Sequence, residues 1–277
     1  MTEAHCGISQ RLTDLHPSTF SAASDDIDLA SLEQWLTSPE SMAVRGMRNN
    51  RRRVESLAAW LLAKQVYLIA GATAGTPQVK VRLIGQCEEW ISSYPKEQLD
   101  RLSVVKLQAG GRAPSIWDRR RGKLHHGVSV AHKYPLVAAG VVPDGCSVGV
   151  DLERVRLFDS SFVNFFFHDD VRLPHGPSFD PAFYYTALWT LKEACLKALR
   201  CDQTELALRD VSVVWVDLRK IQDSLDSPVS VPITFRAKQQ TRHGQVILGS
   251  CDDRDYLWCC LRLTSRGLGG LAGMTTD

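Results

Sequence analysis

What this sequence lacks narrows the field first. Its 277 residues contain no apolar run of about 18, the length that a membrane-spanning helix needs. The opening residues, M-T-E-A-H-C-G-I-S-Q, lack the basic start and apolar core of a secretory signal. The eight cysteines (Cys6, Cys87, Cys146, Cys195, Cys201, Cys251, Cys259 and Cys260) include no Cys-x-x-Cys pair, so the spacing of a zinc site is missing. Together these absences predict a cytoplasmic protein with reduced, buried cysteines and no membrane partner. An excess of charge is also lacking. Lys and Arg total 33 against 31 Asp and Glu, a net charge of +2, too little for a protein whose task is to coat nucleic acid. With 44% apolar and 23% charged residues the composition is that of a globular chain, and it excludes a disordered acidic or basic one. The length suits one large domain or two of modest size.

Residues 1–28 are polar and rich in Ser, Thr and Asp, which predicts a poorly ordered arm. A helical pattern follows in L-A-S-L-E-Q-W-L. Beyond a Ser-Pro break, Val54, Leu57, Ala58, Leu61 and Leu62 mark an amphipathic helix. Three short strands are expected near 127–132, 136–142 and 147–153, separated by Tyr134-Pro135 and Pro143-Asp144-Gly145. Connections this short favour antiparallel hairpins over parallel crossovers. Asp180 and Pro181 then read as the N-cap and first position of a long helix, with Tyr184, Ala187, Leu188, Leu191, Cys195 and Ala198 as its apolar stripe. Strand patterns return between 211 and 263, and a Gly-rich flexible tail closes the chain at 264–277. The order of elements predicts an α+β fold in two similar halves, 29–135 and 136–263.

Four features carry chemistry. In V-G-V-D-L-E, strand alternation puts Gly149, Asp151 and Glu153 on one face, with the two carboxylates about 6.5–7 Å apart. Gly149 leaves room beside them. A hard divalent cation turns their repulsion into attraction; a solvated pair neutralised by Arg154 and Arg156 is the other reading. In W-T-L-K-E-A-C-L-K, Glu193 and Lys197 share a helix face, and Lys192 lies about 100° round the axis. The three either grip a metal and a polyphosphate or form an ordinary solvated pair. Arg45, Arg48, Arg51, Arg52, Arg53 and Lys64 form one basic cluster with Glu55 as its only acid. Arg112, Arg119, Arg120, Arg121 and Lys123 form another. Both suit phosphate or nucleic acid, or are plain solvated faces. His132 ends a strand, a place where a lone His is commonly structural.

V-G-V-D-L-E-R at 148–154 and W-T-L-K-E-A-C-L-K at 189–197 together resemble the signatures of the 4′-phosphopantetheinyl transferase superfamily, in its longer, monomeric, surfactin-synthetase-activating type. The likeness extends more loosely over about 31–262. It implies two α+β halves in a pseudo-twofold arrangement, each a small antiparallel sheet packed by a long helix, with the site in the cleft between them. It implies Asp151, Glu153 and Glu193 as ligands of Mg²⁺, and Lys192 and Lys197 as contacts to coenzyme A phosphates, Lys197 also standing near the reacting centre. Arg53 resembles the arginine at the 3′-phosphate end of coenzyme A, with Arg52 the alternative register. Arg112 in G-R-A-P resembles the basic residue of the family's G-(K/R)-P loop, with one alanine inserted. V-S-V-A-H-K at 128–133 keeps the family's histidine in His132, a further phosphate contact, but has Ser129, Ala131 and Lys133 where Asn, Ser and Ser or Thr are usual. The activity implied is Mg²⁺-dependent transfer of phosphopantetheine from coenzyme A to a serine of an apo acyl or peptidyl carrier protein, with Glu193 as base, directly or through a water. Fatty-acid, polyketide and nonribosomal-peptide carriers all suit it. A non-catalytic interaction protein on the same fold and a nucleic-acid-binding module are the alternatives. The motif pair, for which such a module has no use, speaks against nucleic acid as partner.

Overall fold

The computed structural model describes residues 29–72, 78–106, 114–170, 180–199, 206–217, 225, 228–251 and 254–264. The expected arm at 1–28, all but the first residue of the expected tail, and Arg112 lie outside them. The fold is α+β, with every strand pairing antiparallel. No helix among the described residues is long and apolar enough to cross a membrane. The described residues fall into two compact units, one up to residue 144 and the other from 145 onward.

The first unit opens with α1 (Leu29–Glu33), α2 (Ser38–Arg45) and α3 (Asn50–Ala72). Ser38-Pro39 does not break a helix but starts one. Thr37 and Glu40 form a capping box, with Glu40 accepting from the Thr37 backbone N–H at 2.7 Å, and proline is tolerated in a first helical turn because its missing N–H has no partner there. The stripe expected on α3 is wider than an amphipathic helix needs: every residue from Leu57 to Ala63 is buried. A helix apolar all round lies at the centre of its unit. It packs on the sheet β1-β6-β5 and also meets the shorter helices. These strands are β1 (Gln78–Leu83), β5 (Val128–Lys133) and β6 (Leu136–Val141). A second sheet joins β2 (Leu102–Lys106), β3 (Pro114–Asp118) and β4 (Lys123–His125), while α4 (Cys87–Ser92) and α5 (Lys96–Asp100) link β1 to β2.

The hairpin expected at Tyr134-Pro135 is β5–β6, with Val128 opposite Val141 and Lys133 opposite Leu136. The expected division at 135/136 thus runs through a hairpin whose two strands share one unit. The second hairpin is absent. Gly145 takes the left-handed conformation (φ +81°) that its turn demands, but β7 (Cys146–Arg154) pairs with β11 (Tyr256–Thr264) rather than β6.

The second unit holds the sheet β7-β11-β10-β9-β8, with β8 (Val211–Val216), β9 (Ser230–Ala237) and β10 (Gln240–Cys251). Helix α6 (Ser160–Phe166) follows β7, and α7 (Pro181–Leu199) lies against β7 and β11. Asp180 caps α7, its Oδ1 accepting the Ala182 N–H at 2.9 Å. All six residues of the expected stripe are buried, packed with Leu257, Cys259, Leu261 and Leu263 of β11. The six described cysteines are free thiols, and burial pushes those of Cys87, Cys195, Cys259 and Cys260 well up, so they act as small apolar side chains.

Candidate active site on β7 and α7

Strand alternation fixes the site. Gly149, Asp151 and Glu153 stand opposite Leu261, Cys259 and Leu257 of β11, and opposed residues share a face. That face carries α7. The room at Gly149 is filled by the helix backbone: a Cβ there would stand 1.8 Å from the Ala194 carbonyl oxygen and 2.7 Å from the Ala198 nitrogen. The glycine is therefore a point of close approach, which lets α7 sit deep enough for its side chains to reach Asp151.

Lys197 makes that reach. Its Nζ donates to Asp151 Oδ1 at 2.7 Å and to the Val150 carbonyl at 3.0 Å. Asp151 is 5% exposed, and its Oδ2 is buried with no hydrogen-bond partner among the described residues. Burial pushes the Glu193 carboxyl above the ordinary carboxylate range; the charges of Asp151 and Glu153 add to this, against the pull of Lys197. Burial disfavours the Lys197 ammonium, but Asp151, Glu193 and Glu153 outweigh it and hold the group above its usual range. Four charged groups thus influence one another across β7 and α7. The pair-neutralising arginines are engaged elsewhere: Arg154 faces Asp255 at 3.8 Å, and Arg156 lies over the Phe158 ring.

Among the described residues, no three His, Cys, Asp or Glu side chains converge closely enough to hold a metal ion. The chemistry of the donor set nevertheless fits a hard cation. Three carboxylates face one ammonium, the buried Asp151 Oδ2 has no donor among the described residues, and the Glu193 carboxyl is raised by burial and then by its acidic neighbours.

Lys192 is not brought to this face. It is 1% exposed; its Nζ donates to Asp170 Oδ2 at 2.7 Å and to the Phe166 carbonyl. The other oxygen of Asp170 accepts the Val213 N–H. Lys192 therefore ties α7 to the end of the 160–170 segment and to β8. The 100° that separates it from Glu193 points it into the core rather than beside a shared ligand.

The remaining expected residues belong to the first unit. Arg53 closes the end of α2, with Nε donating to the Met47 carbonyl at 2.6 Å and Nη2 to that of Arg45 at 3.1 Å. Arg52 is exposed. Lys64 leaves the basic cluster altogether: it is fully buried, on Glu40 Oε2 at 2.7 Å. His132 stands on β5 with Nδ1 3.2 Å from Glu55 Oε2. Glu55 was visible in the sequence only as the one acid in a basic stretch. Its i, i+4 spacing from Arg51, whose Nε it accepts at 3.2 Å, was the available signal.

A family model of the 4′-phosphopantetheinyl transferase superfamily matches residues 147–260. The match begins in β7 and ends in β11, so it encloses Asp151, Glu153, Glu193 and Lys197. No curated protein matches the chain.

Proposed function

We propose that the protein transfers the 4′-phosphopantetheine group of coenzyme A to a serine of an apo carrier protein, releasing adenosine 3′,5′-bisphosphate. The observation that carries this reading is the acidic face of β7 set against Glu193 and Lys197 of α7, inside the stretch matched by the superfamily model. The serine oxygen attacks the phosphorus that bears the pantetheine arm. The bond from that phosphorus to the bridging oxygen breaks, and the bridging oxygen leaves with the nucleotide.

A serine hydroxyl is a weak nucleophile at neutral pH and needs a base. Glu193, its carboxyl raised by burial and by Asp151 and Glu153, accepts the serine proton, directly or through a water. Lys197 stays an ammonium and offsets negative charge on the phosphoryl group in flight. Asp151, Glu153 and Glu193 are the residues that would hold Mg²⁺, which when bound neutralises the diphosphate and eases departure of the nucleotide. In the first unit, exposed Arg52 suits a coenzyme A phosphate better than Arg53, whose guanidinium is spent on the end of α2.

The test is to incubate the protein with coenzyme A, Mg²⁺ and a panel of apo fatty-acid, polyketide and nonribosomal-peptide carriers, and to read intact mass. One carrier gaining a phosphopantetheine group is the expected result. No gain on any carrier overturns the reading.

A further inference from the structure

The basic stretch Arg119-Arg120-Arg121 has no part in the chemistry above, yet the fold gives it a fixed shape. With Gly122 it forms the turn between β3 and β4, closed by Asp118 opposite Lys123. Asp118 builds the turn from beneath. It is fully buried, and its Oδ1 accepts the Arg120 N–H at 3.0 Å and the Arg121 N–H at 3.4 Å. Its Oδ2 accepts the Tyr67 hydroxyl of α3 at 3.3 Å. The Arg119 N–H donates to the Arg101 carbonyl at 3.0 Å. The backbone of the turn is thus tied to α3 and to the start of β2, and its side chains are left to solvent.

Those side chains present positive charge. Arg121, 57% exposed, stays 3.7 Å from Asp118 Oδ2, and Lys123, 59% exposed, pairs with Asp144. Arg119 and Arg120 are exposed, and neither guanidinium has a hydrogen-bond or ion-pair partner among the described residues. Two residues before Arg119, Trp117 is 38% exposed, opposite Leu124 on β4. A tryptophan with arginines around it is the composition of a protein-docking hot spot, and unpaired rim charges steer an oppositely charged partner onto it. A nucleic-acid strand repeats its charge along its length and rewards an extended groove, whereas four residues of turn make a point contact.

We infer that the β3–β4 turn, with Trp117 beside it, is a docking surface for an acidic face of the carrier protein, an inference that rests on the transferase reading above. The patch lies wholly within the first unit and touches none of the residues assigned to the chemistry. Arg119 and Arg120 supply the free charge, Trp117 the apolar contact, and Asp118 the rigidity that spares the partner the cost of ordering the turn.

The experiment is a steady-state assay with Mg²⁺, coenzyme A and a carrier that the wild type modifies, comparing the wild type with Arg119→Glu/Arg120→Glu and with Arg236→Glu. The last reverses an exposed charge on β9 and serves as control. In the double variant KM for the carrier is expected to rise about tenfold, while kcat at saturating carrier and KM for coenzyme A are kept. Raising the ionic strength from about 50 to about 300 mM should raise the wild-type KM for the carrier and barely move that of the variant. In Arg236→Glu the KM should change less than about twofold. An unchanged KM in the double variant, an equal rise in Arg236→Glu, or a loss confined to kcat overturns the docking surface. If the double variant does not fold, Arg120→Gln decides in the same assay, with a rise of a few-fold expected and an unchanged KM overturning the surface. Binding of a labelled single-stranded RNA by the wild type as tightly as the carrier, lost in the variant, overturns the acidic protein as occupant. A wild type that modifies no carrier fails before any variant is compared, and that result alone overturns the transferase reading together with the surface.

Discussion

Replacing Gly149 by alanine sets a methyl group directly against the backbone of α7. The new Cβ would stand 1.8 Å from the Ala194 oxygen and 2.7 Å from the Ala198 nitrogen, where real Cβ contacts do not fall below 3.0 Å. Neither neighbour is the far end of a flexible side chain, so relief requires α7 and β7 to part. The buried stripe of α7 resists, because Ala187, Leu191, Cys195 and Ala198 are packed on the sheet with at most 1% exposure. Overpacking of a core costs about 1–3 kcal/mol, and movement of two backbones places this case at the upper end, about 3 kcal/mol. Parting the elements also lengthens the 2.7 Å contact of Lys197 with Asp151, so activity should fall further than the loss of folded protein explains. Urea unfolding followed by tryptophan fluorescence reads the first effect as a lower midpoint at unchanged slope. A loss below about 1 kcal/mol would refute the claim that close approach at Gly149 sets the depth of α7.

Lys192→Met leaves Asp170 buried without its counter-ion, and denaturant unfolding should show a loss of about 3–5 kcal/mol, largely recovered in Asp170→Asn/Lys192→Met. A lysine serving only coenzyme A would instead weaken binding at unchanged stability. Lys64→Met isolates Glu40 in the same way, and a loss of about 3–5 kcal/mol is again expected, because Glu40 Oε2 also carries the Thr37 cap and Oε1 holds the Val104 N–H. Glu193→Gln should remove turnover yet stabilise the metal-free fold at neutral pH. A carboxyl raised on folding binds more protons folded than unfolded, so its ionisation costs stability as pH rises. The advantage of the variant therefore grows as pH rises through the raised range of the carboxyl and vanishes in acid, once the carboxyl is protonated in both states; thermal melts across pH in the presence of a chelator read it.

Local chemistry made much of the fold legible. Asp180-Pro181 announces α7 because the cap and the proline act within one turn. The strands at 128–133, 136–141 and 146–154 follow their alternation. Partnership was less legible. The turn at Pro143-Asp144-Gly145 marks a change of direction but does not choose the next strand's neighbour, and β7 joined β11, about a hundred residues away in sequence. Charge was the other blind spot. Lys64 follows Leu57 and Leu61 at helical spacing, and Lys192 follows Leu188 and precedes Cys195, so both lie on apolar stripes and their burial was readable. Their partners Glu40 and Asp170 were not, because pairs separated by more than twenty residues depend on how elements pack. At the site, strand periodicity put Asp151 on one face with Gly149 and Glu153, and helix periodicity put Lys197 on one face with Glu193, but neither said that the two faces meet. Only the packing at Gly149 brought Asp151 and Lys197 to hydrogen-bond distance.

The central claim is a group transfer, and its most direct measurement follows both products at once. With Mg²⁺, coenzyme A and a responsive apo carrier, the mass gained by the carrier and the adenosine 3′,5′-bisphosphate released should rise together in equal amounts. Glu193→Gln should produce neither. Near-normal formation of both products by Glu193→Gln would contradict the role given to that carboxylate, and nucleotide release without a gain on the carrier would contradict the transfer itself.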